Sequence, residues 1–196
     1  MNVQEILNNL KINELNEMQR QALTLFKQGG DMILLSPTGS GKTLAYLLPL
    51  VSALNPEVKG VQAVVLAPSR ELALQIEQVF KAMGTGFGVM SCYGGRPAME
   101  EHRTMKALNP TVIIGTPGRM NDHLGKQNIE GGKVRLLVID EFDKCLELGF
   151  QEEMEEVISK LTGLKRRFLL SATDAEEIPQ FTGLNRTVRL DFLDRK

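Results

Sequence analysis

Three carboxylates close an oily run in "RLLVIDEFDKC", residues 135–145: Asp140, Glu141 and Asp143 follow Leu136, Leu137, Val138 and Ile139 directly. Acids this close repel one another and are costly to bury without a positive partner. A partner is offered a hundred residues earlier. In "LLSPTGSGKT", residues 34–43, an apolar run enters a glycine-rich turn and leaves through Lys42-Thr43 into a helical pattern. Such a turn lets backbone N–H groups converge on phosphate, with a helix N-terminus behind them. The backbone of Thr38, Gly39, Ser40 and Gly41 would cradle the anion. Lys42 would reach the outer phosphates and Thr43 would offer its hydroxyl to Mg²⁺. Asp140, at a strand end, is the acid expected to hold that metal. Glu141 is placed to orient and deprotonate an attacking water. Lys42, Asp140 and Glu141 are therefore the catalytic candidates. The usual phosphate-loop pattern asks for glycine at position 36, and Ser36 stands there.

The elements that must position these groups are legible in the pattern. Seven short apolar runs recur, at 32–36, 63–67, 89–93, 111–115, 136–140, 167–172 and 187–191. Most are continuous rather than alternating, which suits strands buried on both faces of a parallel sheet. Helical periodicity lies between them. The stretch 41–54 follows the glycine loop. Leu72, Ile76, Val79 and Phe80 share one face of a second helix, with Gly84 as its stop. Met154, Val157, Ile158 and Leu161 share a face of a third. The first 28 residues read as helical. Strand and helix in alternation predict an α/β fold with a mostly parallel central sheet flanked by helices.

Length and composition bound the rest. The 196 residues suffice for one domain with a real core and are short for two. The net charge of −1 excludes a broadly basic nucleic-acid binder, so any such site must be local. No apolar stretch reaches the ~18 residues that cross a bilayer. The N-terminus lacks the pattern of a signal peptide. Cys92 and Cys145 have neither metal-ligand nor disulfide spacing. A cytoplasmic home is the expectation. The ending "RLDFLDRK" reads as a domain cut from a longer chain.

Five stretches occur in one order: "SPTGSGKT" (36–43), "PSREL" (68–72), "TPGR" (116–119), "DEFD" (140–143) and "SAT" (171–173), with Gly94-Gly95 between the second and third. Together they resemble the first RecA-like domain of a DEAD-box ATP-dependent RNA helicase, and the resemblance spans nearly the whole chain. It implies a single RecA-like ATP-binding domain over 1–196, Mg-ATP as cofactor, RNA as partner, and a second RecA-like domain of the same protein that this chain does not include. Gln19 resembles the residue that reads adenine, since a side-chain amide pairs with adenine N6 and N7 as donor and acceptor together. Pro68, Arg70, Gly95, Arg96, Thr116, Gly118 and Arg119 resemble elements that grip the RNA backbone without sequence preference. Ser171 and Thr173 resemble the residues that bond the last acid, here Asp143, and couple hydrolysis to unwinding. The resemblance implies a monomer with no membrane contact.

The sequence departs from that family in places. Phe142 stands where Ala is usual, and the packing around it must differ. Ser69 replaces Thr. No aromatic residue precedes Phe26, so the adenine-stacking ring expected upstream of Gln19 is missing, and Glu17-Met18 replace the usual Pro-Thr. Two other readings stay open here: a DNA helicase or other P-loop ATPase, and a module that binds a partner without catalysis.

Overall fold

In a computed structural model of the chain, residues 1–174 and 178–193 are described. All seven apolar runs are strands: β1 (Met32–Leu35), β2 (Ala63–Leu66), β3 (Val89–Cys92), β4 (Val112–Gly115), β5 (Leu136–Ile139), β6 (Arg166–Ser171) and β7 (Val188–Asp191). They form one sheet in the order β3-β4-β2-β5-β6-β1-β7, and every pairing is parallel. The last three residues of "RLDFLDRK", 194–196, lie outside the described residues.

Because side chains alternate across a strand, each continuous run feeds two cores. Met32, Leu34, Val65, Ile114, Val138 and Leu170 face one side. There they meet α1 (Val3–Leu10), α2 (Glu17–Phe26), α3 (Lys42–Ala53) and α4 (Arg70–Met83). Ile33, Leu66, Ile113, Leu137, Ile139 and Leu169 face the other. That side is covered by α5 (Ala98–Leu108), α6 (Pro117–Gly125), α7 (Phe142–Glu147) and α8 (Gln151–Lys160). Helix α4 buries Ile76 and Phe80, with Leu72 and Val79 at the margin. It ends on Gly84 at φ 66°, a left-handed cap that glycine adopts without a Cβ clash. Among the described residues no helix is long and apolar enough to cross a membrane.

One edge of the sheet matters most. Every motif stretch leaves the C-terminal end of a strand: 36–43 after β1, 68–72 after β2, 94–96 after β3, 116–119 after β4, 140–143 after β5 and 171–173 at the end of β6. Open α/β sheets place their ligands along that edge. β6 lies between β1 and β5, and Leu35 stands level with Ser171. The phosphate loop, the acids and "SAT" therefore share one half of the edge. The arginine stretches, on β2, β4 and β3, share the other.

Candidate active site and nucleic-acid interface

The loop from Ser36 to Gly41 bends through two left-handed glycines, Gly39 at φ 80° and Gly41 at φ 86°. At Gly41 the left-handed φ strains any other residue, and an added Cβ would lie 2.8 Å from Gln19 Nε2 and force that side chain to shift. α3 begins at Lys42, so the free N–H groups of its first turn face the loop. Lys42 Nζ lies 3.3 Å from Asp140 Oδ1 and 3.8 Å from Glu141 Oε1. The ammonium is nonetheless buried and makes no well-formed hydrogen bond. The acids have found their positive partner, and that partner still has donors to give.

Asp140 is fully buried. Its Oδ2 accepts from the Tyr46 hydroxyl at 3.0 Å and its Oδ1 from the Glu141 N–H at 2.8 Å. Burial first, and the Asp140 charge second, push the Tyr46 phenol well above its usual range, so it stays a donor. Glu141 sits at φ 47°, ψ 51°. A left-handed non-glycine residue costs about 1–2 kcal/mol, and this turn from strand to helix leaves the Glu141 side chain partly exposed toward the loop. Sequence reasoning missed Tyr46. Its one signal is its place four residues after Lys42, on the same face of α3.

Gln19 belongs to a capping box at the start of α2: Asn16 Oδ1 accepts from its N–H, and its Oε1 accepts from the Asn16 N–H. Its Nε2 donates to Gly41 O at 3.1 Å, and Asn16 Nδ2 donates to Ser40 O at 3.1 Å. The amide is thus tied to the phosphate loop itself. It retains one N–H and one lone pair, the combination that adenine N7 and N6 require.

On the other half of the edge a buried carboxylate, Glu101 of α5, gathers the arginines. Its Oε2 accepts from Arg96 Nε and from the Tyr93 N–H, each at 2.9 Å. Its Oε1 meets Arg119 Nη1 and His123 Nε2, each at 2.8 Å. Arg119 Nη2 also donates to Arg96 O at 2.9 Å, and Arg96 lies over the Tyr93 ring with its guanidinium 4.2 Å from the centroid. Arg96 and Arg119 are therefore not freely projecting side chains. Both are oriented from behind. Arg70 is exposed, 4.9 Å from the same ring, and Pro68 is buried beside it. Gly94, Gly95 and Gly118 are exposed, with nothing within 4 Å of an added Cβ, so a polymer backbone has room to approach. Thr116 caps α6 with no side-chain bond of its own. No sequence signal separates Glu101 from its acidic neighbour Glu100.

Burial alone would raise the Glu101 carboxyl, but His123, the Tyr93 N–H, Arg119 and Arg96 overcome it and hold the group down at about 2. A depressed carboxylate stabilises the fold fully above its unfolded value of 4.5 and loses that contribution as pH falls toward 2. The stability gap between the unmodified chain and Glu101→Gln is therefore expected to be widest above pH 4.5 and to narrow on acidification. Chemical denaturation across a pH series measures it. A gap independent of pH would mean that the Glu101 charge contributes nothing.

The third constellation joins β6 to the acids. Thr173 Oγ1 donates to Asp143 Oδ2 at 3.0 Å, as the family resemblance implies. Ser171 does not join it: its Oγ donates to Thr173 O at 2.6 Å and closes the turn instead. Phe142 is buried, 6.4 Å centroid to centroid from Phe181 in the 3-10 turn Gln180–Thr182. The bulk expected to need different packing has found it there.

Comparison with known proteins agrees with this arrangement. The chain is 36% identical over 169 residues to the DEAD-box ATP-dependent RNA helicase CshA of Bacillus subtilis, covering 85% of this chain and 34% of that one. It is 36% identical over 181 residues to the ATP-dependent RNA helicase DeaD of Escherichia coli, covering 91% and 29%. The chain thus spans about a third of the length of these relatives. A DEAD box protein from Methanococcus jannaschii superposes with a TM-score of 0.87 at 26% identity, over 97% of this chain and 53% of that one. A hypothetical ATP-dependent RNA helicase from Sulfolobus tokodaii superposes with a TM-score of 0.85 at 27% identity, over 97% and 57%. A sequence model described as DEAD/DEAH box helicase matches residues 16–181, and with these motifs in order along one sheet edge, the chain belongs to that family.

Proposed function

We propose that the chain is the Mg-ATP- and RNA-binding N-terminal half of an ATP-dependent RNA helicase. The observation that carries the reading is Lys42: a buried ammonium with no well-formed hydrogen bond, at the mouth of a glycine loop and a helix N-terminus. Such a group is costly to leave incomplete, and a polyphosphate would complete it.

Lys42 and the N–H groups of 38–43 bind the phosphates. Thr43 and Asp140 supply the hard oxygen donors that suit Mg²⁺, and Tyr46 fixes the Asp140 side chain by its hydrogen bond. The metal, when bound, neutralises charge on the transferring phosphoryl group. Glu141 orients water and takes its proton. Gln19 reads adenine with its remaining N–H and lone pair, which makes the site selective for ATP. Arg70, Arg96 and Arg119 meet RNA phosphates, with Pro68, Gly95, Thr116 and Gly118 shaping the path, so sequence preference is slight. Asp143 with Thr173 couples hydrolysis to unwinding through a second RecA-like domain. That domain supplies the arginines that stabilise the transition state, worth ~10³–10⁵ in rate. In the whole protein the two domains act together, as a cytoplasmic monomer, to unwind RNA. The RNA half of the edge favours this reading over a P-loop ATPase of another kind.

The test is steady-state ATP hydrolysis by this chain with Mg²⁺, with and without single-stranded RNA, beside a direct measurement of Mg-ATP binding. Binding with near-zero turnover in both conditions is expected. Robust RNA-stimulated turnover by the chain alone would remove the need for a second domain. Absence of Mg-ATP binding by a folded chain would remove the nucleotide reading.

A further inference from the structure

The opposite edge of the sheet carries a different feature. A cavity of about 670 Å³ opens where β2, β5 and β6 begin, the far end of the strands from the phosphate loop. Lys59, Lys133, Arg135, Lys165 and Arg166 line it, and no acidic side chain does. The chain as a whole carries −1, so five cations about one concavity do not follow from its composition. Like charges over low-dielectric walls repel one another and focus a positive potential into the space between them.

The cavity is built rather than incidental. Gln62 fixes the loop that forms one wall: its Nε2 donates to Asn55 O at 2.8 Å and Val58 O at 3.0 Å, and its Oε1 accepts from the Asn55 N–H at 2.8 Å. Arg166 is held over Phe26 at 3.7 Å and donates to Phe26 O and Gly30 O. Arg135 Nη1 is held by Gly132 O and Gly163 O. Lys133 reaches Glu130 at 3.2 Å. Among the described residues the ammonium groups of Lys59 and Lys165 have no ion pair or hydrogen bond. Leu54, Val58 and Leu136 add apolar lining.

We propose that this cavity is a second anion site, which takes a small phosphate-bearing molecule of about nucleotide size. The volume lies within the ~300–1,000 Å³ of small-molecule sites, and cations beside apolar lining, with the Lys59 and Lys165 ammonium groups uncommitted, are what such a ligand needs. A concavity of this kind fits a compact anion better than a polymer, which would need an open basic track.

Inorganic pyrophosphate is the probe, followed through backbone amide shifts. Saturable shifts at 55–62, 133–136 and 165–166 are expected, separate from those at the phosphate loop. The double variant Lys59→Glu/Lys165→Glu should weaken the cavity shifts by about tenfold or more and leave the phosphate-loop shifts unchanged. Lys59→Gln/Lys165→Gln serves in the same way if the charge reversal unfolds the chain. Shifts confined to the phosphate loop would overturn the proposal. So would shifts that never saturate, or a single-stranded RNA oligonucleotide that displaces pyrophosphate from the cavity residues, because the surface would then belong to an RNA path.

Discussion

Lys42→Ala is expected to weaken Mg-ATP binding by at least ~100-fold while the chain stays folded. In the proposed site the lysine would give several charge-assisted hydrogen bonds to phosphate, each worth about 1.5–3 kcal/mol, which alanine cannot make. The structural cost is smaller than its burial suggests. Lys42 now lies 3.3 Å from Asp140 without a well-formed hydrogen bond, so its removal also relieves a desolvated ammonium. Asp140 keeps the Tyr46 hydroxyl and the Glu141 N–H. A loss of roughly 1–3 kcal/mol of stability is expected, read from chemical denaturation. Calorimetry with Mg-ATP checks the binding. Normal affinity in the variant would mean that the glycine loop is not the phosphate site. Unfolding would mean that Lys42 serves Asp140 before it serves any ligand.

The difference between what the sequence carried and what it hid is one of range. Strand runs such as 63–67 and 136–140 are legible because a strand buried on both faces must be apolar throughout, and each observed strand falls within a residue or so of its run. α3, α4 and α8 are legible because each has an apolar face or follows the glycine loop. Helices α5, α6 and α7 were not. α5 buries only Glu101 and Met105 of its eleven residues, so it has almost no apolar stripe to detect. α6 begins inside "TPGR", where proline and glycine read as a turn although proline suits a helix's first position. α7 has six residues, too few to show a period.

The site divides in the same way. The phosphate loop is a local pattern, and its geometry follows from adjacent residues. The Tyr46–Asp140 bond joins residues 94 apart, and the His123–Glu101 contact residues 22 apart. No spacing rule reaches them. Arg96 and Arg119 were legible as residues but not as an arrangement, because what aims them is a buried acid on another element. Ser171 shows the converse: a hydroxyl in the expected motif turned to its own backbone, and the Thr173 hydroxyl alone met Asp143.

Phe142→Ala would restore the residue that the DEAD-box pattern carries, yet it is expected to destabilise this chain by about 3–5 kcal/mol. The Phe142 side chain is 1% exposed. It fills the core between α7, α8 and the 180–182 turn, with Phe181 against its ring. Alanine would leave a cavity there, lined by the buried residues of α7 and α8 and by the Phe181 ring. The substitution therefore tests the packing of this chain rather than the motif. Nucleotide binding is expected to change by less than about threefold. Asp140 is anchored from the other face of the sheet by Tyr46, and Lys42 lies on α3, so neither depends on Phe142 for its position. Urea denaturation and Mg-ATP calorimetry on the same variant separate the two effects. A stability loss under ~1 kcal/mol would show that the core closes over the gap. A large loss of affinity with the fold intact would show that Phe142 sets the acids, and the aromatic would then belong to the site as well as to the core.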